Sequence, residues 1–242
     1  MERSTATKEY PSLQNLMEAL QLKKERIQDG VLSWSGSSLG RYPWRRAGST
    51  PYEVLIGEIL ISKTTYAVAN RVYRRFLRCF PSLNAIAEAD EDEIAKALDF
   101  SYMRRYGAFI KSVIQDLMKE RIVKVPGDSY ALRALGLQSH NVNAIMCFGY
   151  NLHLAIIDSN VSRMLSRLFC NSLPAQPPRG LVQAIGEALL PDRNAAQYNA
   201  NMLDLADQIC SFARPLCAQC MVPDACDHAS ACLDTSAMKG KG

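Results

Sequence analysis

The sequence predicts an all-α protein, and three observations lead to that class. Apolar residues recur at spacings of three and four, the period of an amphipathic helix, as in Leu13, Leu16, Met17 and Leu20. No stretch alternates apolar and polar residues for long enough to form a strand. Breaks such as Pro126-Gly127 separate the periodic segments. We therefore expect helix to follow helix along the chain, without a sheet.

Composition narrows the class of protein. The chain has 242 residues, of which 48% are hydrophobic and 21% charged, so it can bury the core of one large or two small domains. It has no apolar run that could span a membrane, and its first residues lack the apolar core of a signal peptide. We therefore expect a cytoplasmic protein. The net charge of +4 permits a nucleic-acid partner without requiring one.

A helix start is well specified at Thr50, which is followed by Pro51 at the first helical position and by Glu53 three residues after the cap. The predicted helix runs from residue 52 to about residue 63 and carries Glu58 inside an apolar run. A carboxylate there either faces solvent or is partly buried. Burial disfavours its charged form and suits a role in proton transfer.

The next helices are predicted from residue 66 to 80 and from residue 107 to 124, separated by a mixed acidic and apolar segment. Four arginines fall on one face of the first of these helices: Arg71, Arg74, Arg75 and Arg78. Such a face is either a solvated basic surface or a track for phosphate groups.

A helix, a tight turn and a second helix are predicted around Gly136, with the second helix beginning near Ser139. Unpaired N–H groups and the helix dipole at such a start form a site for a phosphate, although an ordinary turn between helices is the alternative. Asp158 follows an apolar run and precedes a further helix. Its carboxylate is therefore expected at a helix start, as an N-cap.

The most specific pattern is a set of four closely spaced cysteines near the end of the chain. They are separated by six, two and five residues: Cys210, Cys217, Cys220 and Cys226. Without a secretory signal, this spacing favours a metal site over disulfides. Four cysteines suit both zinc and an iron–sulfur cluster, but a zinc knuckle usually pairs two Cys-x-x-Cys units, and only one is present.

Together these motifs resemble the helix-hairpin-helix DNA glycosylase superfamily with an iron–sulfur loop, which includes endonuclease III and the adenine and thymine mismatch glycosylases. The segments that carry the resemblance are Pro43-Trp44-Arg45, Gly57 to Thr65, Asp99 to Arg105, Ala134 to Gln138, Asp158 to Arg163, and the four cysteines. Asp158-Ser-Asn160-Val-Ser-Arg163 resembles the form of the mismatch-specific members. The cysteine spacing resembles their [4Fe-4S] loop. The chain is most similar to the archaeal-type thymine glycosylases that act on G:T and G:U mismatches.

The resemblance implies a fold of two helical domains. A six-helix barrel would span residues 46–153 and contain the hairpin at about 129–150. Residues 1–45 and 154–242 would form the [4Fe-4S] cluster domain, with the cluster loop at 210–226. In the family the cluster is structural, its loop meets the DNA backbone, and the active site lies in the groove between the domains. The implied partner is double-stranded DNA with a mismatched or damaged base, bound by a monomer in the cytoplasm at the nucleoid.

The resemblance also implies catalytic roles. Asp158 would stabilise the positive charge that builds on the deoxyribose and guide a water, and Glu58 would contact or protonate the flipped base. Asn160 would orient the site. His140 stands where lyase members carry the lysine that forms a Schiff base, so a monofunctional glycosylase is expected. His140 would then support the water or Asp158, or simply lie near a phosphate.

The remaining candidates are expected to contact DNA. They are Ser62 and Lys63 after the Glu58 helix, Tyr102, Met103 and Arg104 in a wedge loop, and Gly136, Gln138 and Ser139 in the hairpin. Tyr102 and Met103 either fill the gap left by a flipped base or belong to the core. Gln138 replaces a glycine that is usual in the family, which predicts a different backbone angle or strain.

Three functions fit the resemblance. Adenine-specific members carry an additional C-terminal domain, whereas this chain ends sixteen residues after Cys226, which favours thymine or uracil opposite guanine as the target. Removal of adenine opposite guanine or 8-oxoguanine, or of another lesion, is the alternative. A non-catalytic iron–sulfur DNA-binding protein is the third reading. The presence of both Glu58 and Asp158 argues against it, because a binding protein needs neither.

Overall fold

The computed structural model describes residues 13–34, 42–46, 48–62, 64–98, 104–119 and 124–231, without the side chains of 104–106. No strand occurs in these ranges, and the all-α prediction is confirmed. The α-helices in these ranges are α1 (Leu13–Leu32), α2 (Pro51–Ile61), α3 (Tyr66–Cys79), α4 (Leu83–Glu88), α5 (Glu91–Ala97), α6 (Arg104–Lys119), α7 (Ser129–Ala134), α8 (Ser139–Ala144), α9 (Ser159–Leu168), α10 (Arg179–Ala188) and α11 (Ala195–Asp204). In the described part of the chain, none of them is both long and apolar enough to cross a bilayer.

Shorter helical turns complete the described structure. A 3-10 turn, Pro43–Arg45, precedes α2, and π-helical turns continue α8 (Ile145–Gly149) and α11 (Leu205–Ile209). Two further 3-10 turns, Cys217–Gln219 and Pro223–Ala225, lie in the cysteine loop.

The chain divides into two compact units. One contains Met1–Gly36 and Ile157–Gly242, and the other contains Ser37–Ile156. The family resemblance implied domains that meet at 45/46 and 153/154. The turn with Trp44 and Arg45 falls in the second unit because both side chains are buried and both hydrogen-bond to a residue of α2.

Helix α2 is the most buried helix of the unit Ser37–Ile156. Its start is the predicted capping box: Glu53 N donates to Thr50 Oγ1 at 3.2 Å, and Thr50 N donates to Glu53 Oε2 at 2.7 Å. All residues from Val54 to Leu60 are buried. Helices α3 and α8 and the π-turn after α8 pack around them. A side chain on this stretch is therefore held rigidly.

In the other unit, helix α1 ties together segments distant in sequence. Asn201 Nδ2 of α11 donates to the Val31 carbonyl at 2.7 Å. Lys23 Nζ donates to the carbonyl of Leu168, at the end of α9, at 2.9 Å and forms an ion pair with Asp227. Because Asp227 follows Cys226 directly, α1 helps to fix the end of the cysteine loop.

Candidate active site and cysteine loop

Glu58 is buried on α2, and the preceding turn holds its carboxylate. Trp44 Nε1 and Arg45 Nε both donate to Glu58 Oε1, each at 2.9 Å. Arg45 is itself buried, so the two residues form an ion pair removed from water. Neither of these hydrogen bonds involves the other oxygen, Oε2. The sequence left open whether Glu58 is exposed or buried, and the structure selects the buried position.

The turn that carries Trp44 and Arg45 is positioned by close packing against α2. A Cβ at Gly57 would lie only 2.1 Å from Trp44 Cγ, so only glycine lets the indole lie against the helix here. The ring of Tyr42 packs edge-on to Trp44 at 5.4 Å and lies 4.4 Å from the Arg45 guanidinium carbon. These contacts bring both donors to Glu58.

Helices α7 and α8 form the predicted helix-hairpin-helix. Asp128 caps α7 by accepting from Tyr130 N and Ala131 N. Gly136 in the turn has φ +76°, the left-handed region that favours glycine. Gln138, the N-cap of α8, has φ −70° and ψ 151°, an extended conformation open to any residue. Of the two expectations for this position, a different backbone angle or strain, the structure agrees with the different angle.

Four further residues were predicted to contact DNA, but the structure does not describe their side chains. Lys63, Tyr102 and Met103 lie outside the described residues, and Arg104 begins α6 with a side chain outside them. Ser62 is the exposed C-cap of α2 and donates to the Ile59 carbonyl at 2.8 Å. At the start of α8, Ser139 is exposed and His140 is half-buried.

Asp158 is the N-cap of α9, as the sequence predicted. Val161 N donates to Asp158 Oδ1 at 2.7 Å, which fixes the carboxylate at the helix start. This capping bond does not involve the second oxygen, Oδ2. Val161 and Leu165 are buried and anchor the helix. One carboxylate oxygen is therefore fixed, and the other is available to a ligand.

Asn160 and Arg163 link the start of α9 to the cysteine loop. Arg163 Nη1 donates to Asn160 Oδ1 at 2.8 Å, Nε donates to the Cys210 carbonyl at 2.9 Å, and Nη2 donates to the Ala206 carbonyl at 2.7 Å. Asn160 therefore lies in the same hydrogen-bond network as the first cysteine. The motif spacing gave no indication of this connection.

Arg167, one turn after Arg163, holds the beginning of the loop. Its Nη1 lies 3.0 Å from the Cys210 carbonyl, 3.3 Å from Cys210 Sγ and 2.7 Å from the Ser211 carbonyl. Its Nη2 donates to the Phe212 carbonyl at 2.8 Å. At the other end of the loop, Cys226 Sγ donates to the Arg167 carbonyl at 3.6 Å. The sequence contains one signal for the position of Arg167: it follows Arg163 by four residues, which places both on the same face of α9.

The four cysteines line one pocket that is open to solvent. Its other lining residues include Met164, Leu168, Ile209 and Val222, which give it apolar walls. Burial raises the pKa of the Cys226 thiol to about 11 and raises that of Cys220 as well. A bound metal would have to compensate for this desolvation, because thiolates are the ligand form.

The four cysteines line the same pocket, but their thiols do not have the geometry of a preformed metal site. Within the described residues, no cysteine forms a disulfide, and no group of three or more cysteine, histidine or acidic side chains has the geometry that holds a metal ion. The donor type and the shared pocket nevertheless fit an iron–sulfur cluster, which takes four cysteine thiolates around one space.

The family model described as the HhH-GPD superfamily of base excision DNA repair proteins matches residues 56–190. This match covers more than half of the chain. The chain therefore belongs to the HhH-GPD superfamily.

Two kinds of curated relative are similar to this chain. The adenine DNA glycosylase of Mycolicibacterium smegmatis is 24% identical over 192 residues, 78% of this chain and 65% of that protein. The thymine/uracil-DNA glycosylase of Methanothermobacter thermautotrophicus is 23% identical over 218 residues, 89% of this chain and 98% of that protein. The chain thus spans less than two thirds of the adenine enzyme and almost all of the thymine/uracil enzyme.

Solved structures share the fold. A thermostable thymine-DNA glycosylase superposes with a TM-score of 0.81 at 23% identity, covering 88% of this chain and 100% of that one. Endonuclease III in a non-covalent complex with DNA superposes with a TM-score of 0.72 at 17% identity, covering 89% and 98% of the two chains. The described helices thus have the all-α arrangement of these enzymes.

Proposed function

We propose that this protein is a base-excision DNA glycosylase that removes thymine or uracil mismatched with guanine from double-stranded DNA. Membership in the HhH-GPD superfamily supports the reaction class. Similarity along 98% of a thymine/uracil-DNA glycosylase, together with the Asp158–Arg163 motif, supports the choice of base.

The observation that carries the proposal is the carboxylate of Asp158 at the start of α9. Cleavage of an N-glycosidic bond builds positive charge on the deoxyribose, and a fixed carboxylate stabilises that charge. Val161 N holds Oδ1 at 2.7 Å, so Oδ2 is the oxygen proposed to face the sugar and to guide the attacking water. Water adds to the anomeric carbon and loses a proton to solvent, while the base departs with the bonding electron pair and takes up a proton from solvent.

Glu58 is proposed to contact the departing base through Oε2. Its other oxygen is already occupied by Trp44 and Arg45, which fixes the direction of the carboxylate. A carboxylate paired with an arginine accepts hydrogen bonds, and thymine and uracil both offer a ring N–H. The ion pair therefore favours contact with the base over proton donation to it.

The mechanism is proposed to be hydrolysis without a lyase step. A lyase needs an amine to attack the sugar, and the hairpin position that supplies it in lyase members is His140 in this chain. Asn160 would orient the site, and Arg163 holds its side chain.

DNA is proposed to bind through the hairpin and two flanking segments. Gln138 and Ser139 place backbone N–H groups at the start of α8, where a phosphate is favoured, and Gly136 forms the turn before them. Ser62 and Lys63 are proposed to lie near the mismatch. Tyr102, Met103 and Arg104 are proposed to fill the stack behind the flipped base.

The proposal includes a [4Fe-4S] cluster on Cys210, Cys217, Cys220 and Cys226. All four residues line one pocket with apolar walls, and an arginine guanidinium lies 3.3 Å from the first sulfur. When bound, the cluster supplies a covalent cross-link of the loop to the fold. Every proposed catalytic step is carried by other residues.

A second candidate is removal of adenine, because adenine DNA glycosylases are among the relatives. One experiment separates the candidates. Labelled duplexes with T·G, U·G, A·G, A opposite 8-oxoguanine, or full pairing are incubated with the protein and then analysed with and without alkali. Breaks at T·G and U·G that require alkali are expected. Breaks at an adenine mismatch would favour the second candidate, and no break on any duplex would overturn both.

A further inference from the structure

We propose that Arg167 is the positioning residue that holds Cys210, the first cysteine, for the cluster and places a positive charge beside its sulfur. This inference rests on the proposed [4Fe-4S] cofactor and assigns a role to a residue that the sequence motifs do not include.

The first step is geometric. The Arg167 guanidinium lies 3.3 Å from Cys210 Sγ, the first sulfur of the set, and can donate to it as a thiolate. The same guanidinium also fixes the loop backbone, because it donates to the carbonyls of Cys210, Ser211 and Phe212. A planar fork with several fixed donors makes this set of contacts, whereas a lysine ammonium cannot reproduce it.

The second step is electrostatic. No carboxylate in the described ranges forms a salt bridge with Arg167. The guanidinium therefore places its positive charge beside the loop carbonyls and Cys210 Sγ. Met164, Leu168, Ile209 and Val222, which line the same pocket, carry no charge that competes with Arg167. Hydrogen bonds and positive charge at ligand sulfurs stabilise the more reduced form of an iron–sulfur cluster. Arg167 should therefore raise the reduction potential of the cluster.

The third step compares the contacts of Arg167 with those of Arg163, one turn earlier on α9. Arg163 reaches the same segment but donates to the Cys210 and Ala206 carbonyls and to Asn160, and to none of the sulfur atoms that the structure describes. Arg163 therefore fixes the backbone of the loop, whereas Arg167 acts on the ligand atom itself.

The test uses the cluster-loaded protein and the variants Arg167→Gln and Arg167→Lys, with Arg179→Gln on the exposed start of α10 as the matched control. Iron and sulfide content, the rate at which an iron chelator bleaches the visible absorbance, and the one-electron reduction potential are measured. Arg167→Gln should bleach faster and have a more negative potential than wild type. Arg167→Lys should retain a potential near wild type, because it keeps the charge, but should bleach faster, because it loses the fork.

Each result decides the inference. A wild-type protein without iron and sulfide would refute the cofactor and the inference together. A loaded wild type whose Arg167 variants match Arg179→Gln in both potential and bleaching would overturn the inference alone. If Arg167→Gln retains helical circular dichroism but holds no cluster, the positioning role is supported. If Arg167→Gln does not fold, Arg167→Lys is the deciding variant. Bleaching of Arg167→Lys at the wild-type rate would overturn the inference.

Discussion

Arg45 and Glu58 form an ion pair away from water. Arg45 Nε lies 2.9 Å from Glu58 Oε1, and the two side chains are 6% and 5% exposed. Trp44 Nε1 donates to the same oxygen. Removing one partner of such a pair leaves an uncompensated buried charge, which costs far more than the pair contributes.

The variant Arg45→Met should lower the free energy of unfolding by about 3–5 kcal/mol, because Glu58 would lose its only arginine partner in the described structure. The double variant Arg45→Met/Glu58→Gln should lose less, since the buried charge is removed with its partner. Chemical denaturation of both variants measures the difference.

Arg74→Met is the matched control for the ion pair. Arg74 is exposed on α3, so its loss should change the free energy of unfolding by no more than about 0.5 kcal/mol. A double variant as unstable as Arg45→Met alone would show that the pair does not account for the loss.

Gly57→Ala should destabilise the protein by about 1–3 kcal/mol, the range for overpacking a core. The added methyl would lie 2.1 Å from Trp44 Cγ, so the indole and the turn that carries Arg45 must move. Denaturation gives the stability, and near-ultraviolet circular dichroism reports the tryptophan environment.

Gly180→Ala provides the comparison for Gly57→Ala. A Cβ at Gly180 meets nothing within 4 Å, and the residue lies in α10, where alanine is favoured over glycine by about 1 kcal/mol. This variant should be as stable as wild type or more so. Equal stability of the two alanine variants would contradict the tight packing of Trp44.

Gly136→Ala should cost about 1–2 kcal/mol, because an alanine at φ +76° is in the left-handed region. It should also weaken binding to a duplex containing an abasic-site analogue, measured by fluorescence anisotropy. Gln138→Gly should give no gain in stability, since Gln138 is already in an extended conformation. A Gln138→Gly variant that is more stable and binds more tightly would show that Gln138 is strained.

Local sequence signals predicted the helices well. The capping residues at Thr50 and Asp158 give helix starts that depend only on neighbours three residues away, and the structure has both. The helix predicted over residues 107–124 corresponds to α6, Arg104–Lys119, and residues 120–123 lie outside the part of the chain that the structure describes.

The partners of the site residues could not be predicted in the same way. Glu58 pairs with Arg45, and Cys210 with Arg167, across separate elements, so their contacts depend on how the elements pack. The family pattern also did not predict the extended backbone of Gln138. A glycine in such a pattern does not require a positive φ at that position in every chain. The roles of Asp158, Glu58, Asn160 and His140 remain predictions that rest on chemistry.

The most direct test of the central proposal is the release of free thymine from a G·T duplex, measured by mass spectrometry under single-turnover conditions, for wild type and Asp158→Asn. Asparagine still accepts the Val161 N–H, so the cap and the fold should persist while the negative charge is lost. We predict that wild type releases thymine and that Asp158→Asn is slower by at least about 100-fold with similar duplex affinity. Thymine release by Asp158→Asn at the wild-type rate would contradict the assignment.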